Sequence, residues 1–464
     1  MRHFDERPAR TFKFLLAALA ACFAMLAFAA PASAVPAFAV QIGQPCQSCH
    51  VGGFGPQLTP FGRAFKLGGY TMRSGKTNIP LSAMAVAALT RAVNPDAPTV
   101  PGESPRKQTT VKFEQGSIFV AGGIGSHLGG FIQTTYDGIG KAWSWDNVDL
   151  RAVGTGHIGS KSLVYGLSLN NSPSTQDVWN TMPAWGYPYT GSPIAPGPSA
   201  SPLIAGGLAQ NVIGLTAYGW LDSKFYLEGG GYSTPKRGTL SWLGADPFDP
   251  GDINGLAPYG RAAFQQEVGG GTFEVGAFML KAAIFPGRDR STGLTDRYTD
   301  LGLDSSWIKP LGQDMVTINA RYTHEKRRLR ATCALGIADG SILAPTIADC
   351  SGATLNEIRA DASYYWHNQI GATLGAFSLS GSTNPYLYPD NRTAGPGSTG
   401  FTAQLDGTLF GGAKSSPLGP RFNIRAGIQY TVYSRFNGAS RNYDGAGANA
   451  SDNNTLRVFT WVAF

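Results

Sequence analysis

From about residue 80 to its last residue, the chain keeps returning to strict alternation of apolar and polar side chains. In "MVTINARYTHE", Val316, Ile318, Ala320 and Tyr322 share one face, and Thr317, Asn319, Arg321, Thr323 and Glu325 share the other. In "NEIRADASYYW", Ile358, Ala360, Ala362, Tyr364 and Trp366 oppose Glu357, Arg359, Asp361, Ser363 and Tyr365. "FNIRAGIQYTVY" divides Phe422, Ile424, Ala426, Ile428, Tyr430 and Val432 from Asn423, Arg425, Gly427, Gln429, Thr431 and Tyr433. Successive side chains of a strand point to opposite faces, so each segment is a strand with an apolar side and a polar side. Sixteen such segments centre near residues 87, 115, 131, 151, 166, 214, 227, 262, 278, 303, 319, 361, 375, 406, 427 and 459.

The connections alternate in length. Short turns follow even-numbered segments, as at 123–125, 159–160, 269–271, 311–312 and 368. Long stretches follow most odd-numbered ones, such as 172–207, 234–256, 327–354, 381–399 and 435–453. A soluble sandwich or propeller also alternates, but each apolar face then needs a second sheet. Here Arg, Asp and Glu stand at mid-strand on the polar faces, which suits a wet lumen. The pattern predicts an all-β fold, a 16-stranded antiparallel transmembrane β-barrel over residues 79–464 with short turns at one end and long loops at the other. The terminal Phe464 closes an amphipathic last strand, as in barrels assembled into an outer membrane. An even strand count puts both mature termini on the short-turn, periplasmic side. Only 14% of residues are charged and 61 are Gly, which agrees with membrane β-structure. The net charge of +7 comes without a basic run interleaved with aromatics, so nucleic-acid binding is excluded.

The first 34 residues have the form of a signal peptide. Arg2, Arg7, Arg10 and Lys13 precede an apolar run from Phe14 to Ala30, then the cleavage candidate Ala32-Ser33-Ala34. Ala37-Phe38-Ala39 is a later candidate. The rival reading is a retained anchor. No later run approaches the roughly 20 apolar residues of a membrane helix. Cys22 leaves with the signal, and Cys333 and Cys350 sit in a polar loop. An oxidising compartment predicts a disulfide between those two, against the alternative of two thiols.

Residues 35–78 form the remaining segment, and it carries "CQSCH" at 46–50. Two thiols two apart add to the haem vinyl groups, and the histidine that follows ligates the iron. A thioredoxin-like pair needs a βαβ setting, and zinc needs two more ligands nearby. Neither context is present. One covalent haem c is therefore expected on Cys46 and Cys49, with His50 as proximal ligand. Met72 is the only methionine of the segment and the candidate sixth ligand, which would raise the potential. It could equally be a packing residue, with the site open or filled from the barrel by Met84, His127 or His157. Phe54, Phe61, Phe65 and Tyr70 could wall the haem, or form ordinary core. Arg63 and Lys66 could neutralise its propionates, or form a solvated face. About 40 residues is near the limit for independent folding. Docking as a plug of the lumen would staple the segment. Arg151, Arg261, Arg321, Arg359, Arg425, Asp149, Asp361 and Glu357 point inward and could hold it, or merely solvate the lumen.

Three stretches resemble one family: "CQSCH", "LTPFGRAFKLGGYT" at 58–71 and "NNSPSTQDVWNTMPAWGYPY" at 170–189. They are similar to the monohaem cytochrome–porin fusions of the outer membrane, known as iron oxidases of iron-oxidising bacteria. With the sixteen-strand pattern, the likeness extends over essentially the whole mature chain. The resemblance implies an Fe(II):cytochrome c oxidoreductase-type electron-transfer protein of a Gram-negative outer membrane. Extracellular Fe(II) would be the donor and a periplasmic cytochrome c or similar carrier the acceptor. Other donors are compatible with such a fusion, and a second class is open: a porin-type channel with a haem-containing plug. No cluster of carboxylates or histidines marks a surface iron site, so no catalytic residue is assigned.

Overall fold

The computed structural model describes residues 37–74, 81–94, 105–408, 410 and 422–464. The expected signal peptide, 1–34, lies outside the described residues. Among the described residues one antiparallel sheet holds seventeen strands, from β1 (Leu81–Val93) to β17 (Thr455–Ala463). It closes on itself where β1 pairs with β17, with Met84 opposite Ala463 and Arg91 opposite Leu456. Phe464 completes the seam by exchanging backbone hydrogen bonds with Ala83. One strand, β8 (Gly251–Ile253), is three residues long and only extends the pairing of β10 (Gly271–Pro286). The other sixteen make the cylinder, and all sixteen expected centres fall inside them.

The alternation resolves as an inverted protein. On β12 (Asp314–Leu329), Thr317, Asn319, Arg321, Thr323 and Glu325 are buried, while Ile318 is 48% exposed. Leu374, Leu405 and Ile428 on neighbouring strands are exposed too, and with Ile318, Tyr364 and Tyr430 they line a shallow outer groove. An exposed apolar girdle around a polar interior is what lipid on the outside requires. The chain is thus a closed transmembrane β-barrel.

Inside, many of the charges are paired. Arg151 pairs with Asp149, Arg425 with Asp406, and Arg457 with Glu114. Arg261 faces Asp177, Glu274 and Asp304. A buried charge needs an ion-pair or hydrogen-bond partner, since taking an ion out of water costs roughly several kcal/mol even after relaxation.

The ends differ as the sequence implies. Gly159-Ser160 links β4 (Ala142–Ile158) to β5 (Lys161–Asn170), with Gly159 at φ 61° in the left-handed region that glycine enters without strain. At the other end residues 171–212, 234–256 and 330–351 intervene between spanning strands. Two connections depart from the pattern: β3 (Leu128–Asp137) reaches β4 through only 138–141, and at the short-turn end residues 409–422 separate β15 (Ser398–Thr408) from β16 (Asn423–Arg435).

The largest surprise is 171–212. Instead of lying over the rim, it folds into the lumen, where Trp179 and Met182 are buried. Its anchors ring the barrel. Arg321 donates to the Thr181 carbonyl at 3.1 Å, Gln429 to that of Thr190 at 3.2 Å, and Tyr433 to that of Pro196 at 3.0 Å. The carboxylates of Glu325 and Asp300, opposite one another on adjacent strands, accept from the amides of Leu203 and Ile204 at 2.7 Å each.

Candidate functional site

Residues 37–74 lie inside the barrel. They begin with helix Ala37–Ile42, turn through the four-residue helix Cys46–Cys49, and return as helix Pro60–Leu67. The turn is fixed locally. His50 N–H donates to the Cys46 carbonyl, Val51 N–H to that of Gln57, and Thr59 N–H to that of Cys49, all at 2.9 Å. Thr59 then caps the returning helix, its hydroxyl accepting from Gly62 N–H at 3.2 Å, with Pro60 at the first position. Gly62 lets that helix meet the motif. A Cβ there would stand 2.3 Å from the Cys49 carbonyl oxygen.

The barrel and the inward loop grip this plug from several sides. Arg425 donates to the Phe54 carbonyl at 2.6 Å, and Tyr70 donates to Asp149 at 2.7 Å. Gln57 reaches Thr317 at 2.8 Å, and Tyr218 donates to the Leu67 carbonyl at 2.7 Å. Asn180 of the loop accepts from Leu58 N–H and donates to the Pro56 carbonyl, both at 2.9 Å. Gln41 donates to the carbonyls of Tyr70 and Met72 at 2.7 Å and accepts from Gly123 N–H of the wall at 2.9 Å. Of the inward charges expected to hold the plug, Asp149 and Arg425 bond to it directly, and the Arg151 guanidinium lies over the Tyr70 ring. Arg261 and Arg321 hold the loop instead, bonding to Thr181. Glu357 pairs with both Arg321 and Arg359, while Asp361 accepts from Asn319.

Cys46, Cys49 and His50 border one cavity of about 550 Å³. Phe38, Ile42, Phe54, Phe131, Trp185 and Trp461 supply much of its apolar wall. That size falls within the roughly 300–1,000 Å³ of ligand sites. A smaller cavity of about 130 Å³ lies on another side of His50, against Phe65, Lys66 and Tyr70. The His50 imidazole is half-buried between the two cavities, and burial pushes its pKa down to about 4. It is therefore neutral, the form that ligates iron. Its Nδ1 is buried without a hydrogen-bond partner. Burial likewise pushes the thiols up, to about 11 for Cys46 and about 12 for Cys49. Two adjacent thiols, a neutral imidazole and an apolar cavity of this volume fit a c-type haem.

The remaining candidates separate by position. Met72 is 46% exposed and does not line the cavity. His127 is exposed in a short turn beside the Val153 carbonyl, and His157 is exposed on β4. Met84 does line the cavity. Lys66 reaches only the smaller cavity; its ammonium donates to the Thr175 and Asp177 carbonyls at 2.7 Å and lies over the Trp185 ring. Arg63 points to the wall and lining loop, donating to Ser306 at 2.9 Å, and faces neither cavity. Both cations thus hold the inward loop and wall. Phe65 and Tyr70 pack with Phe38, whose ring stacks on Tyr70 at 5.1 Å, whereas Phe61 is exposed. Cys333 and Cys350 are joined by a disulfide, their Cα atoms 6.1 Å apart.

Sequence reasoning passed over Gln41, Asn180, Asn368, Tyr189 and Trp461. One signal was available for the loop: "VWNTMPAWGYPY" is too aromatic and uncharged for a solvated rim.

The barrel and its inner plug define the class: a β-barrel membrane protein with an occupied lumen. No protein-family model matches the chain, and no curated protein is similar to it at a significant level. Solved barrels are similar in fold. Outer-membrane expressed OmpT of Vibrio cholerae is 10% identical, with a TM-score of 0.43 over 84% of this chain and 99% of its own. The anion-selective porin from Comamonas acidovorans is 12% identical, with a TM-score of 0.45 over 83% and 98%. Salmonella typhi OmpF, in complex with daunomycin, is 12% identical, with a TM-score of 0.38 over 83% and 97%.

Proposed function

We propose that this chain is an outer-membrane electron conduit that oxidises extracellular Fe(II) and delivers the electron to a periplasmic cytochrome c or similar carrier. The observation that carries the reading is the position of "CQSCH". It is enclosed within a transmembrane barrel, on an apolar cavity, with its histidine held neutral. A covalently attached haem c there would supply a one-electron couple, taking the electron that turns Fe(II) into Fe(III) and passing it to an oxidised carrier. Cys46 and Cys49 would tether it and His50 would hold its iron. Phe54, Phe131, Trp185 and Trp461 would cover the group with apolar surface, and low solvent exposure favours a raised potential. Fe(III) is poorly soluble near neutral pH, so moving the electron instead of the ion keeps precipitate outside the periplasm. A donor other than Fe(II) would use the same route.

A porin-type channel with a haem-containing plug shares the barrel. The plug and the inward loop both occupy the lumen, which weighs against an open pore. The test is anaerobic addition of Fe(II) to the purified, oxidised holoprotein. Appearance of the reduced haem spectrum supports the reading. A haem that stays oxidised, with a potential well below that of the iron couple, rejects iron as donor.

A further inference from the structure

We infer that Met84 is the second axial ligand of the haem, with Trp461 as the residue that orients its thioether. The inference rests on the haem reading above and adds a residue from the barrel wall to it. On β1, Val86, Ala88 and Thr90 are buried toward the lumen, and alternation puts Met84 on that same face. Met84 packs against the cluster containing Cys46, Phe54 and Trp461, and it borders the cavity that Cys46, Cys49 and His50 border. Among the described residues lining that cavity, it is the only one besides these three to carry a sulfur or imidazole donor.

The thioether is already held by one neighbour. Trp461 Nε1–H donates to Met84 Sδ at 3.2 Å, and the Trp461 ring meets Phe54 edge-on at 5.0 Å. A thioether sulfur has two lone pairs. The indole takes one and leaves the other for iron, a soft partner that haem proteins commonly pair with His and Met. The competing oxygens are less suited. Asp146 is engaged by Thr135 at 2.8 Å and by Asn147 at 3.1 Å. The Tyr189 hydroxyl lines the cavity without a hydrogen-bond partner, but a phenol must ionise to bind iron well. Burial, with the charge of Asp361, pushes its pKa far up.

The experiment uses full-length holoprotein purified in detergent, its covalent haem verified by mass. The oxidised wild type should show the methionine-to-iron charge-transfer band and a low-spin paramagnetic resonance signal. Met84→Ala should lose the band and turn high-spin, and Met84→Leu, which keeps the volume, should do the same. Trp461→Phe should keep the band and shift the potential. Met72→Ala should leave spectrum and potential unchanged, and Tyr189→Phe should keep the band. Survival of the band in both Met84 variants overturns the inference while leaving the haem reading intact, as does its loss in Met72→Ala. A mature chain without covalent haem overturns both.

Discussion

The side-chain amide of Asn368, in the short turn after β13 (Gly352–Trp366), donates to the backbone carbonyl of His50 at 3.0 Å. Its second proton goes to the Gln47 carbonyl at 3.1 Å, and its oxygen accepts from Gly52 N–H at 2.8 Å. One barrel residue therefore fixes the backbone on both sides of the histidine. Asn368 also sits at φ 52°, a left-handed conformation that asparagine tolerates better than most residues.

Replacing Asn368 separates these roles. Asn368→Asp keeps the acceptor and loses both donors, leaving two carbonyls unsatisfied at about 1–3 kcal/mol where the group is buried. Asn368→Ala loses all three bonds and adds strain. The expected outcome is a His50 held less rigidly. The potential should shift in both variants, with limited proteolysis of residues 37–74 faster in Ala than in Asp. Equal protease resistance in all three proteins would show that the plug is held elsewhere.

Gly62 is the next weak point. A methyl group at 2.3 Å from the Cys49 oxygen forces the helix Pro60–Leu67 away from the motif. Overpacking of this kind costs about 1–3 kcal/mol. Gly62→Ala should lower the fraction of chains carrying covalent haem, read by mass of the purified protein, while heat-modifiable gel mobility still reports a folded barrel. Full haem occupancy would show that the helix shifts at no cost.

These residues mark what the sequence can and cannot disclose. Alternation is local, so Ile318 and Thr317 reveal their faces from their neighbours alone. The "CQSCH" motif is local too. Asn368, 318 residues from His50, carries no local sign of its partner. The same holds for Asn180 and Leu58, 122 apart, and for Lys66, whose charge suggested an anion but whose ammonium is held by two loop carbonyls 109 and 111 residues away. Long loops at one end follow from strand spacing. That 171–212 would turn inward depended on contacts to Thr181, Thr190 and Pro196 from strands much later in the chain.

The Cys333–Cys350 bond closes a 17-residue separation in the long-loop connection 330–351. A loop near that length is stabilised by about 3 kcal/mol in the chain-entropy model. Paired Cys333→Ser and Cys350→Ser changes should hasten proteolysis of residues 330–351. The haem spectrum should not move, because the apolar cluster around the disulfide shares no residue with the cavity lining. A spectral change would reveal coupling between the loop end and the haem site.

Conductance distinguishes a plugged conduit from a channel. A sixteen-stranded barrel is wide enough for an aqueous pore when its lumen is empty. Here the lumen holds both the plug and the loop, and Asn180 and Lys66 stitch the two together. Wild-type protein in a planar bilayer should therefore show no stable open level. Shortening 171–212 to a tight turn removes the loop and every bond it makes to residues 56–66, so brief openings should appear, the plug being retained only by its bonds to the barrel wall, among them those of Arg425, Thr317, Asp149, Tyr218 and Asn368. Arg425→Ala in that background should lengthen the openings. It also strands the buried Asp406 carboxylate, at about 3–5 kcal/mol for one broken buried pair. Arg425→Lys, which keeps the charge, should restore stability more fully than closure, because a lysine cannot bond Phe54, Asp406 and Tyr365 with one planar fork. Large, steady pores in the wild type would instead favour the channel reading.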